Sequence, residues 1–198
     1  NVVDNGDDCV VIVSRPALSR VEASIQAGTL TDVTVWFRQM GFTLKIEGIV
    51  TKFEHIEFCQ TQPCFIDGRW IMVRRLDALS KDCYSLQPMQ VIPQWMGQVR
   101  RSGIATYGSV PIFSEFYKCL PANDKADRKL IYGTGMYYLS HNMTSNGVVT
   151  DKNRVAFYET FGVSPREQMA IEQHYRDLQY THDPDPHSPG GLLPLPII

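Results

Sequence analysis

The chain has 198 residues, 43% apolar and 20% charged, which is enough to bury a core for one ordinary domain or two small ones. With 19 Lys and Arg against 21 Asp and Glu the net charge is −2, which excludes a generic polyanion binder and makes any nucleic-acid surface a local one. No apolar run is long enough to span a bilayer. The cysteines, at positions 9, 59, 64, 83 and 119, fit reduced thiols, since Cys59 and Cys64 lack a second pair or a His at zinc-finger spacing. The sequon Asn142-Met143-Thr144 is then expected to stay unmodified. Asn1 falls inside an expected strand, so the chain is expected to be the C-terminal part of a longer polypeptide.

The first element is a predicted β-hairpin. Val2-Val3 and Cys9-Val10-Val11-Ile12-Val13 are β-branched and apolar, the second run enough to suggest a strand buried on both faces. Between them Asn5-Gly6-Asp7-Asp8 supplies turn formers and two adjacent acids. Neighbouring strand residues point to opposite faces, so two carboxylates can converge on one ion only where a turn breaks the pleat. Converging carboxylates on a rigid sheet rim suit Mg²⁺, with Mn²⁺ as the alternative, and point to phosphoryl or nucleotidyl transfer. A solvated turn is the competing interpretation of an isolated Asp-Asp pair.

Residues 14 to 28 form a polar connector with one helical turn expected at Arg20-Val21-Glu22-Ala23. Leu30, Val33, Phe37 and Met40 recur at helical spacing, and Gly41 stands where a C-terminal cap belongs. Phe42-Thr43-Leu44-Lys45-Ile46-Glu47 alternates apolar and polar, predicting a half-buried strand with Phe42, Leu44 and Ile46 inward and Lys45 on the other face. A lysine there is either solvated beside Glu47 or a proton donor to a leaving group. The runs 55–61 and 69–74, joined through Asp67-Gly68, predict a second hairpin.

From about residue 78 helical segments replace strands. Gln90 to Arg101 is a predicted helix interrupted near Pro93, and its Arg100-Arg101 end suits either RNA phosphate or a helix C-terminus. Ile112 to Tyr117 is an aromatic-rich helix whose rings belong in a core. Asp151 is expected to cap a helix that runs to Phe161 and is closed by Gly162. Ser164-Pro165-Arg166-Glu167 is a capping box that opens a helix over 165–179. The Pro- and Gly-rich tail from Thr181 to Ile198 lacks periodicity, and His182 and His187 within it have no third ligand in view.

Three of these stretches resemble motifs of one family. Asn5-Gly6-Asp7-Asp8 between apolar strands is similar to motif C of viral RNA-dependent RNA polymerases. The helix, Gly41-Phe42-Thr43 and Lys45 resemble motif D of the tombusvirus-like members, and Phe58-Cys59-Gln60 before the hairpin ending at Val73-Arg74 resembles motif E. Arg154, Phe157, Phe161-Gly162, Ser164-Pro165, Gln168 and Glu172 resemble the thumb of the same polymerases. The resemblance covers roughly residues 1 to 180.

It implies an α+β fold: the C-terminal part of a polymerase palm, antiparallel hairpins plus helix, over 1–77, a mainly helical thumb over 78–180, and an extended tail over 181–198. It further implies template-directed, two-metal ribonucleotide transfer. Asp7 and Asp8 are the metal ligands and, with Lys45 as proton donor, the catalytic residues, while Asn5 and Gly6 shape the turn. Cys59, Gln60, Arg74 and Arg75 lie along the nascent RNA. The implied partners are RNA template and nascent strand, ribonucleoside triphosphates, viral replication cofactors, and the fingers and remaining palm of the same polypeptide. These would work in a membrane-associated replication complex in host cytoplasm. Motifs A and B are absent from these 198 residues, so the fragment alone is expected to be inactive. A reverse-transcriptase palm, or a non-catalytic interaction module with an incidental acidic turn, are the alternatives. The former usually carries an aromatic residue and Met or Val ahead of its paired acids, where this chain has Asn5 and Gly6.

Overall fold

The computed structural model describes residues 1–28, 31–141 and 145–178. The tail with His182 and His187, the end of the last predicted helix at 179, the triplet Asn142-Met143-Thr144 and Leu30 lie outside the described residues. The chain divides into two compact units, Asn1–Cys59 and Gln60–Ile198.

The first unit opens with the predicted hairpin. Strands β1 (Val2–Asn5) and β2 (Asp8–Val11) pair antiparallel with Asn5 opposite Asp8 and Val2 opposite Val11. A two-residue loop of this kind needs positive φ at its first central position, and Gly6 supplies it at +71° without the steric cost a Cβ would bring. Two helices follow, α1 (Arg15–Gln26) and α2 (Thr31–Gln39). The polar connector is therefore more helical than the single expected turn. Pro16 sits in the first turn of α1, where its missing N–H costs nothing and its fixed φ favours the helix. Helix α2 closes as its sequence predicts: the Gly41 N–H donates to the Arg38 carbonyl and the Phe42 N–H reaches back to that of Phe37, at 2.9 Å.

Two expectations fail in this unit. Strand β2 is not buried on both faces, since Val11 is 62% exposed and no described residue of 1–59 is buried. Residues 42–47 form no strand, and the intended inward residues Phe42 and Ile46 are exposed. Alternation specifies a strand only when a partner edge satisfies its amides, and no described element pairs with this segment.

The second unit holds the other hairpin, β3 (Thr61–Ile66) against β4 (Arg69–Arg74), turned by Asp67 and Gly68, both at positive φ as a type I′ turn requires. Its first strand starts at Thr61 rather than at 55. A 3₁₀ turn at Phe53–His55 and left-handed backbone at Cys59 and Gln60 take up the preceding residues. Cys64, Ile66, Ile71 and Val73 are buried, whereas Phe65 and Trp70 form an edge-to-face pair among the exposed residues. A 3₁₀ segment, Leu76–Cys83, leads to the helices α3 (Ile92–Tyr107), α4 (Phe113–Cys119), α5 (Gly135–Leu139), α6 (Asp151–Phe161) and α7 (Pro165–Asp177).

Pro93 falls in the first turn of α3 and starts the helix instead of interrupting it. The helix then passes through Arg101 to Tyr107, because Gly103 lets the Tyr117 ring of α4 approach so closely that an added Cβ would stand 2.1 Å from it. The aromatic residues of α4 are core, as expected: Phe113, Phe116 and Tyr117 pack with Tyr107, Phe157 and Tyr175. Thr150, not Asp151, caps α6, its hydroxyl accepting the Asn153 N–H, and left-handed Gly162 closes it. Ser164 and Glu167 form both halves of the predicted capping box, which holds the Glu167 carboxyl below its ordinary range.

Two buried polar residues tie the unit together. Asn153 on α6 donates to Asp67 and to the Ser109 carbonyl and accepts the Asp67 N–H, fixing the β3–β4 turn. Glu172 on α7 takes two parallel bonds from Arg154, at 2.9 and 2.8 Å, and the Ile112 N–H at 3.0 Å. Mixed helices and small antiparallel sheets make the fold α+β. No described helix is long and apolar enough to cross a membrane.

Candidate functional site

The acidic hairpin turn places its two carboxylates in different surroundings. Asp7, in the loop, is exposed and has no polar partner among the described residues. Asp8, the first residue of β2, is half-buried, and its Oδ2 accepts the backbone N–H of Cys59 at 2.8 Å. In return the Asn5 side-chain amide donates to the Cys59 Sγ at 3.1 Å. Asn5, Asp8 and Cys59, distant in sequence, are thus joined within the first unit by two bonds running in opposite directions. Cys59 holds this place with a φ of 52°, left-handed backbone that a non-glycine residue adopts only when its surroundings enforce it.

Lys45 is not brought to the acids among the described residues. Its ammonium pairs with Glu47 at 3.2 Å, and both side chains are well exposed. A single exposed pair of this kind contributes about 0–1 kcal/mol and does not fix the lysine in place.

The remaining expected site residues belong to the second unit. Gln60, also left-handed at 59°, accepts the Arg75 N–H on its carbonyl and the Lys81 ammonium on its side chain. Arg74 is engaged inside the fold: it donates to Asp82 at 2.7 Å and to the Ala78 carbonyl, while Tyr117 donates to the other Asp82 oxygen at 2.6 Å. Burial works to lower the Arg74 pKa, but the Asp82 carboxylate outweighs it and leaves it raised. Burial, reinforced by Asp82, holds the Tyr117 hydroxyl well above its ordinary value. Arg75 is more exposed and reaches Asp77 at 3.3 Å. Arg100 turns to the Lys118 and Leu120 carbonyls at the end of α4, so it caps a helix, although not its own.

Asp82 and the Cys59 amide were not foreseeable as partners, for neither carries a local signal. The two carboxylates suit a hard cation, since Asp7 offers both oxygens and Asp8 keeps Oδ1 without a partner among the described residues. They make only part of a coordination shell: among the described residues no group of three or more His, Cys, Asp or Glu side chains converges to hold a metal.

A family model described as "Viral RNA dependent RNA polymerase" matches residues 1–183. The chain is similar to the RNA-directed RNA polymerase of Tobacco necrosis virus (strain A), 34% identical over 184 residues that make up 88% of this chain and 24% of the relative. It is 31% identical over 198 residues to that of Turnip crinkle virus, covering 93% and 24% of the two chains. With that of Groundnut rosette virus (strain MC1) it shares 29% identity over 184 residues, 89% of this chain and 21% of the relative. The chain therefore spans between about a fifth and a quarter of the length of these relatives. No solved structure matches it.

Proposed function

This chain belongs to the viral RNA-dependent RNA polymerase family, and from that premise we propose that it is the C-terminal part of a tombusvirus-like polymerase that copies RNA from an RNA template. In this proposal residues 1–77 complete the palm with motifs C, D and E, and 78–180 form the thumb. The observation that carries it is the Gly6-Asp7 turn, which exposes the Asp7 carboxylate while Asp8 is held beside it.

The reaction joins the 3′ oxygen of the nascent strand to the α-phosphorus of an incoming ribonucleotide and breaks the bond to pyrophosphate. Asp7 would be the main ligand for Mg²⁺, or Mn²⁺, with Asp8 assisting, and the bound ion would supply positive charge that eases loss of the 3′ hydroxyl proton to water and offsets the charge of the departing pyrophosphate. Lys45, released from Glu47, gives its proton to that pyrophosphate. Arg75, Gln60 and Cys59 lie along the nascent strand, where backbone and cationic contacts position RNA without reading its sequence. Arg74 acts indirectly, by fixing the end of β4 to Asp82.

The fingers and the motifs that complete the metal site lie, in this proposal, in the rest of the polypeptide, and the fragment alone polymerises nothing. The relatives' length supports this, and so does the absence of any buried residue among those described in 1–59, because such a unit has no core of its own. In the full-length polymerase, Asp7→Ala should abolish nucleotide incorporation on a primed RNA template while the melting temperature stays within about 2 °C, as for other exposed substitutions. Retained incorporation would refute the metal assignment.

A further inference from the structure

We infer that Cys59 is a positioning residue for Asp8, acting through its left-handed backbone rather than its thiol. This inference rests on the polymerase reading above. A carboxylate at the start of a short hairpin strand can swing about its χ angles, and a half-buried one is steered by whichever donor it meets first. Here that donor is a main-chain N–H, which has no rotamers of its own and sits 2.8 Å from Oδ2. Binding one oxygen leaves Oδ1 without a partner among the described residues and therefore available to a cation, as both oxygens of the exposed Asp7 are.

Because φ is the torsion about the N–Cα bond, it sets how the Cys59 N–H is turned relative to the chain that follows, and here that torsion is left-handed, at 52°, with the next residue at 59°. Neither is glycine or asparagine, the residues that tolerate such backbone most readily. The conformation is therefore enforced by its surroundings, while the Asn5 amide on Sγ, from the same acidic turn, is a separate contact made by the thiol. The family resemblance puts Cys59 against the nascent strand. The hydrogen bond gives it a second task, directed at the metal-binding turn. Groups that orient a metal ligand commonly alter metal affinity or activity by roughly 10- to 100-fold when lost.

The test is a graded series at one position in the full-length polymerase, with Cys59 changed to Gly, Asn, Ala and Val. All four keep the backbone N–H, and their tolerance of positive φ falls in that order. Each variant is scored by the Mg²⁺ concentration for half-maximal single-nucleotide incorporation and, separately, by its melting temperature. Cys59→Gly and Cys59→Asn should stay within about 3-fold of the parent, Cys59→Ala should need more Mg²⁺, and Cys59→Val should need roughly 10-fold more. Should the Val variant not fold, the order Gly, Asn, Ala still decides. A Mg²⁺ requirement that is flat across the series overturns the inference, because at the parent's level the backbone conformation does not matter and at a uniformly raised level the shared loss of the thiol is the cause. A requirement highest for Gly overturns it as well, because it reverses the order of tolerance for positive φ. Asp7→Ala in the same assay separates the two levels. If it abolishes synthesis while the series is flat, only the role of Cys59 fails, whereas if it retains synthesis the polymerase reading itself fails.

Discussion

Replacing Glu172 by Gln tests whether the helical unit is held by its buried charge pair. Glu172 is 2% exposed and receives both Arg154 nitrogens as well as the Ile112 N–H, and Arg176 lies 4.0 Å from Oε2, the oxygen that also accepts from Arg154 Nη2. Glutamine keeps the volume and one acceptor oxygen but removes the charge, stranding a guanidinium whose side chain is 17% exposed. Breaking a buried pair from one side costs about 3–5 kcal/mol, and the residual access of Arg154 to water favours the lower end, about 3 kcal/mol. With a urea dependence of about 2 kcal/mol per molar, the unfolding midpoint should fall by roughly 1.5 M. The Ile112 bond adds leverage. Ile112 sits at φ 68° with the Phe113 N–H bonded to the Pro111 carbonyl, a γ-turn geometry that a β-branched residue adopts at a cost. The double change Glu172→Gln, Arg154→Met should recover much of the loss, because no uncompensated ion remains and the glutamine oxygen still accepts the Ile112 N–H. A loss below about 1 kcal/mol for Glu172→Gln would refute the premise that this charge is cut off from water.

Gly103→Ala should destabilise the same unit by about 1–3 kcal/mol in urea unfolding, since the added carbon meets the Tyr117 ring at 2.1 Å and outweighs the helix-propensity gain of about 1 kcal/mol. Unchanged or higher stability would mean that α3 and α4 slide apart freely. Stability should also fall in alkali. Burial pushes the Cys83 thiol up from 9.0 to about 12 and the Cys119 thiol up from 9.0 to about 11. The unfolded chain therefore loses these protons first. Their contribution is complete below pH 9 and is lost as pH rises through about 11 for Cys119 and about 12 for Cys83. Melting temperatures measured between pH 8 and 11 should decline, and Cys83→Ala should flatten that slope; an unaltered slope would place the sensitivity elsewhere.

What the sequence reveals is confined to features whose physics is local. Asn5-Gly6-Asp7-Asp8, Asp67-Gly68 and the Ser164–Glu167 box each close hydrogen bonds within four residues, so their type and position follow from residue identity. The aromatic core of α4 is legible for a related reason, since rings at helical spacing need a buried face. The ties that set the candidate site are not local. Asp8 reaches Cys59, 51 residues away, and nothing about Phe58-Cys59-Gln60 announces left-handed backbone, because the residues that favour it are missing there. Arg74 illustrates the same limit. It looks like a surface cation at a strand end until Asp82 and Tyr117 close around it.

The strand expectations in the first unit fail in an instructive way. Val10 to Val13 carry the apolar run of a strand covered on both faces, and Phe42, Leu44 and Ile46 the alternation of one covered on one face. Yet Val11, Ile12, Val13, Phe42 and Ile46 are all exposed. Each large aliphatic or aromatic side chain left in water forgoes about 1.5–3 kcal/mol relative to burial, so five of them forgo roughly 10 kcal/mol, comparable to the whole stability of a domain. A sequence patterned for burial gains little from a structure that withholds it. If, as proposed, the remaining palm lies elsewhere in the polypeptide, it would supply apolar surface for these side chains and further acids for Asp7 together. On that proposal the chain segments that would bury Val11 and Phe42 would also complete the metal site.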